Sequence, residues 1–190
     1  MRIGVLALQG AFIEHQKSLA ACGVESMQIR KPEQLEAIQG LIIPGGESTT
    51  MGKLMHQFDL FEPIVELGQQ GTPIFGTCAG MIMLAREIYG SEQPRLGLMD
   101  IEVERNAFGR QVESFEADLE VPALGEDPFK AVFIRAPYIH RVGDPVEILA
   151  QYGEKIVLAR QGHYLAAAFH PELTEDLRLH RYFLNMIGSY

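Results

Sequence analysis

Short apolar runs, each closed by glycine or proline, alternate with stretches of helical spacing through the first half of the chain. Ile3 to Leu8 lacks charged or polar side chains, the pattern of a strand buried on both faces of a sheet. Gln9-Gly10 turns the chain, and Phe12 to Cys22 reads as a helix stopped by Gly23. Ser26 to Arg30 is predicted as a second strand and Leu41 to Ile43 as a third, ended by Pro44-Gly45-Gly46. Ser48 is placed as the N-cap of the helix that follows. Another helix is predicted from about Phe61 to Gln70. Pro73 to Thr77 is then a fourth parallel strand, and Ala79 to Ile88 the helix after it.

Past Gly90 the rhythm changes to short strands separated by turn residues. The candidates are Ile101–Glu104, Phe115–Val121, Phe129–Ile134, Val146–Gln151, Ile156–Arg160 and Leu165–Phe169. A helix from about Glu175 to Ile187 closes the chain, with Thr174 as its expected N-cap and Leu179, Phe183 and Ile187 as its apolar stripe. The alternation predicts an α/β fold of three layers, α/β/α, with a mostly parallel central sheet and helices on both faces. The later strands are expected to extend that sheet and add a small antiparallel flap. With no repeat, linker or low-complexity tract, residues 1–190 read as one domain.

Composition narrows the function. The 190 residues are 47% hydrophobic and 22% charged, ordinary values for a folded chain and outside the disordered or collagen-like range. The net charge of -9 repels phosphate backbones and anionic lipid heads, so neither nucleic acid nor membrane is an expected partner. No apolar run reaches bilayer length, and the N-terminus enters a strand pattern without a signal-cleavage site. Two cysteines far apart, Cys22 and Cys78, do not make a disulfide framework and fit a reducing cytoplasm.

The candidate chemistry begins at Gly76-Thr77-Cys78-Ala79-Gly80, a G-x-C-x-G form of the nucleophile elbow between a strand and a helix. Glycines are needed there because the nucleophile sits on a sharp turn packed against neighbouring backbone. The elbow places a thiol at the C-terminal edge of the sheet and at a helix N-terminus, where a thiolate is favoured. The Ala79 N–H is then aimed at a developing oxyanion. An arbitrary cysteine is more often a small buried side chain, and Cys22, at a helix end without a motif, is read so.

Phe169-His170-Pro171-Glu172 follows the small apolar run Ala166-Ala167-Ala168. A cysteine nucleophile needs an imidazole to move a proton, and the imidazole needs a third group to fix its tautomer. In an extended segment Glu172 lies on the same side as His170, and Pro171 is expected to keep the segment extended. The other histidines, His15, His56, His140, His163 and His180, lack that context and read as structural or surface groups. Pro44-Gly45-Gly46-Glu47-Ser48 follows a neighbouring strand, the place from which the elbow architecture draws its second oxyanion donor, here the Gly46 N–H. Gly46 to Lys53 mimics a phosphate-binding loop, but it has one residue too many and Leu54 stands where Ser or Thr must bind magnesium. No Cys or His spacing fits a metal site.

Together, P-G-G-E-S, G-T-C-A-G and H-P-E resemble the class I, or triad, glutamine amidotransferases. Leu8-Gln9-Gly10-Ala11-Phe12 with Glu14-His15, Pro44 to Thr50, Arg105 to Gln111, Phe133 to Pro137 and His170 to Leu173 resemble more narrowly the glutaminase subunits of pyridoxal 5'-phosphate synthase. The resemblance spans essentially the whole chain. It implies a Cys78–His170–Glu172 triad, oxyanion N–H groups at Gly46 and Ala79, and a glutamine site made by Gly46, Glu47, Ser48, Arg105, Ile134 and Arg135. Either arginine could grip the α-carboxylate of free glutamine. Gln9 is implied to lie near the active site and the partner interface. The implied partner is a barrel-shaped synthase, assembled with this subunit as a dodecamer of heterodimers, that condenses sugar phosphates with the released ammonia. That division of labour implies no cofactor on this chain. Two other readings are a glutaminase feeding another synthase, such as the imidazole glycerol phosphate enzyme, and a catalytically silent binding subunit.

Overall fold

A computed structural model describes residues 1–108 and 113–188. The chain opens with β1 (Arg2–Leu6), α1 (Phe12–Ala21), β2 (Glu25–Ile29) and β3 (Gly40–Ile43), with a 3-10 turn at Pro32–Ala37 between the last two. Next come α2 (Ser48–Gln57), α3 (Phe61–Gln69), β4 (Ile74–Thr77), α4 (Ala79–Leu84), β5 (Ala85–Ile88) and β6 (Met99–Glu104). The second half holds β7 (Ser114–Leu119), β8 (Phe129–Ile134), β9 (Tyr138–Val142), β10 (Glu147–Tyr152), β11 (Lys155–Gln161), β12 (Tyr164–Ala167) and α5 (Arg178–Ile187).

One sheet runs β2-β1-β3-β4-β12-β11-β9-β6-β5, with β10 also paired to β11. The block from β2 to β12 is parallel throughout. Beyond it the pairings β12–β11, β11–β9 and β9–β6 are antiparallel, and β7 with β8 forms a separate antiparallel pair. The expected mostly parallel core with an antiparallel extension is therefore present. The crossovers β1–α1–β2 and β3–α2–α3–β4 run in opposite directions along the sheet, so the right-handed rule puts their helices on opposite faces. On one face His15 of α1 meets His180 of α5, and Phe75 of β4 packs on Phe183 of α5. On the other, Gly68 of α3 closes on Ile74, and α2 packs against both α3 and α4.

Each of the parallel core strands β3, β4 and β12 is buried at every position, which explains why they carry no charged side chain. Some sequence expectations need correction. Helix α4 ends at Leu84, because all six of its residues are buried and the charged pair Arg86-Glu87 has no solvent face in a continued helix. The chain instead turns extended at Ala85 and pairs with β6, so Arg86 reaches Asp100 at 2.8 Å and Glu87 reaches Arg141 at 3.2 Å. Strand β9 was hidden by its polar side chains, with only Ile139 of its five residues buried. Ser48 is the first residue of α2, and its N-cap is Glu47, whose carboxylate accepts the N–H groups of Thr49 and Thr50 at 3.1 and 2.7 Å. Thr174 does not cap α5 either. That helix starts four residues later, and the Arg178 N–H bonds the Asp176 carboxylate at 3.0 Å.

Candidate active site

Strand β4 alternates its side chains between the two helical layers. Ile74 meets α3, Phe75 meets α5, Gly76 faces α4, and Thr77 returns to the α1 side, where its hydroxyl lies 3.1 Å from His15. The next residue, Cys78, takes φ 49 and ψ -105 at the mouth of α4. That left-handed turn is a sparsely populated conformation and stores about 1–3 kcal/mol. Its neighbours explain the G-x-C-x-G spacing. A Cβ on Gly76 would sit 2.4 Å from the Gly80 carbonyl oxygen, and one on Gly80 would sit 1.9 Å from that of Ile43. The Cys78 N–H holds the turn to β12 through the Ala167 carbonyl at 2.8 Å.

Because β12 pairs with β4 in register, Ala167 beside Thr77, the chain leaving β12 passes next to the elbow. His170 is fixed there by its N–H on the Val132 carbonyl at 2.8 Å. Its Nδ1 lies 2.6 Å from Glu172 Oε1, and the Cys78 thiol beside it donates to the Ile134 carbonyl at 3.9 Å. Burial disfavours the imidazolium, yet the hydrogen bonds and charges of Cys78 and Glu172 outweigh it and raise the His170 pKa to about 10. The link was expected to be extended, but Pro171–Leu173 is a 3-10 turn. Proline suits its first position, and the turn swings Glu172 back beneath the ring, where its side chain is wholly buried.

Cys78 and His170 line a cavity of about 490 Å³ together with Gln9, Gly46, Glu47, Ser48, Arg105, Ile134 and Arg135. Nine residues singled out from the sequence thus share one basin, and Glu172 and Ala79 stand behind it. Ala79 opens α4, so its N–H has no intrahelical acceptor. The Gly45 carbonyl accepts the Ala11 N–H at 3.2 Å, which turns the Gly46 N–H the opposite way, off α1. Gln9 donates to the Glu47 carbonyl at 2.9 Å, and a Cβ on Gly46 would strike that side chain at 2.4 Å. Thr50, through its hydroxyl at 2.6 Å and its N–H, holds the Glu47 carboxyl below its ordinary pKa. Arg135 adopts φ 43 at the cavity, with its N–H on Glu113. Of the segment from Arg105 to Gln111, Gly109, Arg110 and Gln111 lie outside the described residues.

Several residues at the site were given no role from the sequence. Gln93 bridges the basin rim: it donates to Ser48 at 3.0 Å and accepts from Thr49 at 3.2 Å and from Arg105 at 2.5 Å. Gly45 is pressed between nucleophile and base, since a Cβ there would lie 2.4 Å from His170 Cε1 and 3.3 Å from Cys78 Cβ. His15 and His180, read from the sequence as structural or surface groups, are both fully buried, and His15 reaches Glu172 Oε2 at 3.4 Å.

A parallel sheet with helices on both faces, a strained thiol at a strand–helix elbow and a His–carboxylate pair from the adjacent strand define the nucleophile-elbow class of α/β enzymes. Within that class, the sequence profile of the SNO glutamine amidotransferase family matches residues 5–189, and the chain belongs to that family. Among its relatives, the "Pyridoxal 5'-phosphate synthase subunit PdxT" of Pelotomaculum thermopropionicum is 77% identical over 97% of this chain and 94% of its own length. The protein of the same name from Brevibacillus brevis is 57% identical over 100% of this chain and 99% of its own. A crystal structure titled glutamine amidotransferase superposes with a TM-score of 0.93 at 56% identity, covering 98% of this chain and 99% of that one.

Proposed function

We propose that this chain is the glutaminase subunit of a pyridoxal 5'-phosphate synthase, with Cys78, His170 and Glu172 as its triad. The observation that carries the triad is one buried cluster at the cavity, where Glu172 holds His170 at 2.6 Å and Cys78 and His170 flank Gly45 side by side. The names of the high-identity relatives carry the choice of pathway.

In this reading Cys78 sulfur attacks the side-chain amide carbon of L-glutamine. The oxyanion takes the N–H groups of Ala79 and Gly46, each worth about 3 kcal/mol of barrier. His170, protonated and held by Glu172, gives its proton to the leaving nitrogen as the carbon–nitrogen bond breaks. Ammonia departs and a γ-glutamyl thioester remains on Cys78. Water then loses a proton to His170, attacks the thioester and releases glutamate, restoring the thiol. Arg105 and Arg135 at the cavity mouth suit the α-carboxylate of glutamine, with Glu47, Ser48 and Ile134 completing the pocket. Gln9 lies at the rim where a synthase would cover the sheet edge. The partner is a barrel-shaped synthase in a dodecamer of heterodimers, and two unpaired cysteines fit the cytoplasm.

The test is reconstitution with a pyridoxal phosphate synthase subunit. The complex should form pyridoxal phosphate from glutamine or from ammonium salts. With Cys78→Ala, the glutamine-driven reaction should vanish and the ammonium-driven one should persist. Glutamate release at the wild-type rate by Cys78→Ala would refute the nucleophile, and no glutamine-driven product from the wild-type complex would refute the pathway.

A further inference from the structure

Beneath the triad lies a second polar layer that the mechanism above does not use. Glu172 is buried, and only its Oε1 is occupied by His170. Its Oε2 has no hydrogen-bond partner among the described residues, and His15 Nε2 stands 3.4 Å away. The same Nε2 is 3.1 Å from the Thr77 hydroxyl, one residue before Cys78. Behind it, His15 Nδ1 is 3.0 Å from His180 Nε2. Both rings are fully buried and pack edge-on against Phe75. Two fully buried histidines, in contact with each other and with a buried carboxylate, are an expensive arrangement to retain as filler.

Their protons can be assigned by accounting for each nitrogen. A neutral imidazole carries one N–H, and a carboxylate only accepts. Burial keeps both rings neutral, holding His15 well below its ordinary value and lowering His180 to about 4. If His15 carried its proton on Nδ1, its bare Nε2 would face the Glu172 oxygen lone pair to lone pair. His180 would then have to present a bare Nε2 and bury an N–H at Nδ1, which has no partner among the described residues. An orphaned buried N–H is rare. The opposite tautomer removes both conflicts. His180 Nε2–H donates to His15 Nδ1, and His15 Nε2–H faces Glu172 and Thr77. At His180 the group left over is then an acceptor lone pair and no longer an N–H.

We infer that His15, backed by His180, is a positioning residue for catalysis: its Nε2–H orients the Glu172 carboxylate, which in turn aims His170 at Cys78. The layer reaches the nucleophile twice, through Glu172 and through Thr77. His15 comes from α1, His180 from α5, Thr77 from β4 and Glu172 from the 3-10 turn, so one ring ties four segments to the geometry of the triad.

The inference rests on the triad reading above, and the experiment separates the two. Glutamate release is measured on the full chain with the synthase subunit bound, for wild type, Cys78→Ala, His15→Gln and His15→Asn. Gln places an amide N–H near the position of Nε2, whereas Asn is one methylene short and reaches only the Nδ1 position. His15→Asn should lower kcat about 10- to 100-fold at unchanged KM, the range for losing a hydrogen bond that orients a primary ligand. His15→Gln should recover kcat to within about threefold of wild type. Equal kcat for the Gln and Asn variants at equal melting temperature would overturn the inference while a silent Cys78→Ala left the triad standing. An active Cys78→Ala would remove the triad itself. His180→Phe supplies a second line, with kcat expected to fall at unchanged KM, and wild-type kcat counting against the layer.

Discussion

Gly45 offers a clean steric test of the site, because its φ lies outside the left-handed region and alanine would suffer no backbone strain there. The methyl of Gly45→Ala would lie 2.4 Å from His170 Cε1. An ordinary carbon–carbon contact is about 3.5 Å, so the ring or the loop must retreat by roughly 1 Å. Neither can retreat easily. The Gly45 carbonyl is held by Ala11 at 3.2 Å, and His170 is held by Glu172 at 2.6 Å and by Val132 at 2.8 Å. A displacement of about 1 Å at a reacting group lowers rates on the order of 100-fold, equivalent to about 2.7 kcal/mol of barrier. Overpacking should also reduce stability by about 1–3 kcal/mol. Glutamate release by the reconstituted complex and thermal melting of the chain measure the two effects. A Gly45→Ala variant with kcat within threefold of wild type would show that the base need not stand where it is drawn, and the steric reasoning would fail.

Two further outcomes follow from the same contacts. Gln93→Leu removes the amide that links Arg105, Thr49 and Ser48, so KM for glutamine should rise about tenfold with kcat little changed; an unaltered KM, measured by steady-state glutamate release, would separate Arg105 from substrate. Stability should peak near neutral pH. Below 6.5 the unfolded chain protonates His15 and His180 while the folded one refuses, so stability falls towards pH 4 by at most about 1.4 kcal/mol per pH unit per group. The charged groups around that pair are His170 and Glu172. Between 6.5 and about 10 the folded chain keeps a proton on His170 that the unfolded one loses, so stability falls again as pH rises. Melting curves from pH 4 to 10 test both limbs, and His170→Ala should flatten the alkaline one.

The parts of the fold that could be read from the chain were those in which one physical cause acts alone. β3, β4 and β12 are covered on both faces, so burial writes itself as a run without charged side chains. The elbow was legible because Gly76 and Gly80 each abut backbone that tolerates no methyl. The misreadings arose where two causes compete. Ala85–Ile88 continues a helical run of hydrophobicity but must deliver Arg86 and Glu87 to solvent, and strand pairing decides. Ser48 has the better capping chemistry by type, yet Glu47 precedes it and its longer carboxylate reaches two N–H groups. Gln93, His15 and His180 could not be found by spacing, because their partners lie on other elements and only the folded sheet brings them together.

The register of β12 beside β4 has a consequence for how the protein is made. A ribosome delivers β4 and its thiol long before β12 exists, so the nascent chain holds that sulfur beside an unpaired strand edge destined for burial. Only when Tyr164–Ala167 slots into that gap does the imidazole arrive and the edge disappear. Competence and protection against misassembly are thus reached in the same late step of folding, and a chain stalled before it would be inert and prone to aggregate.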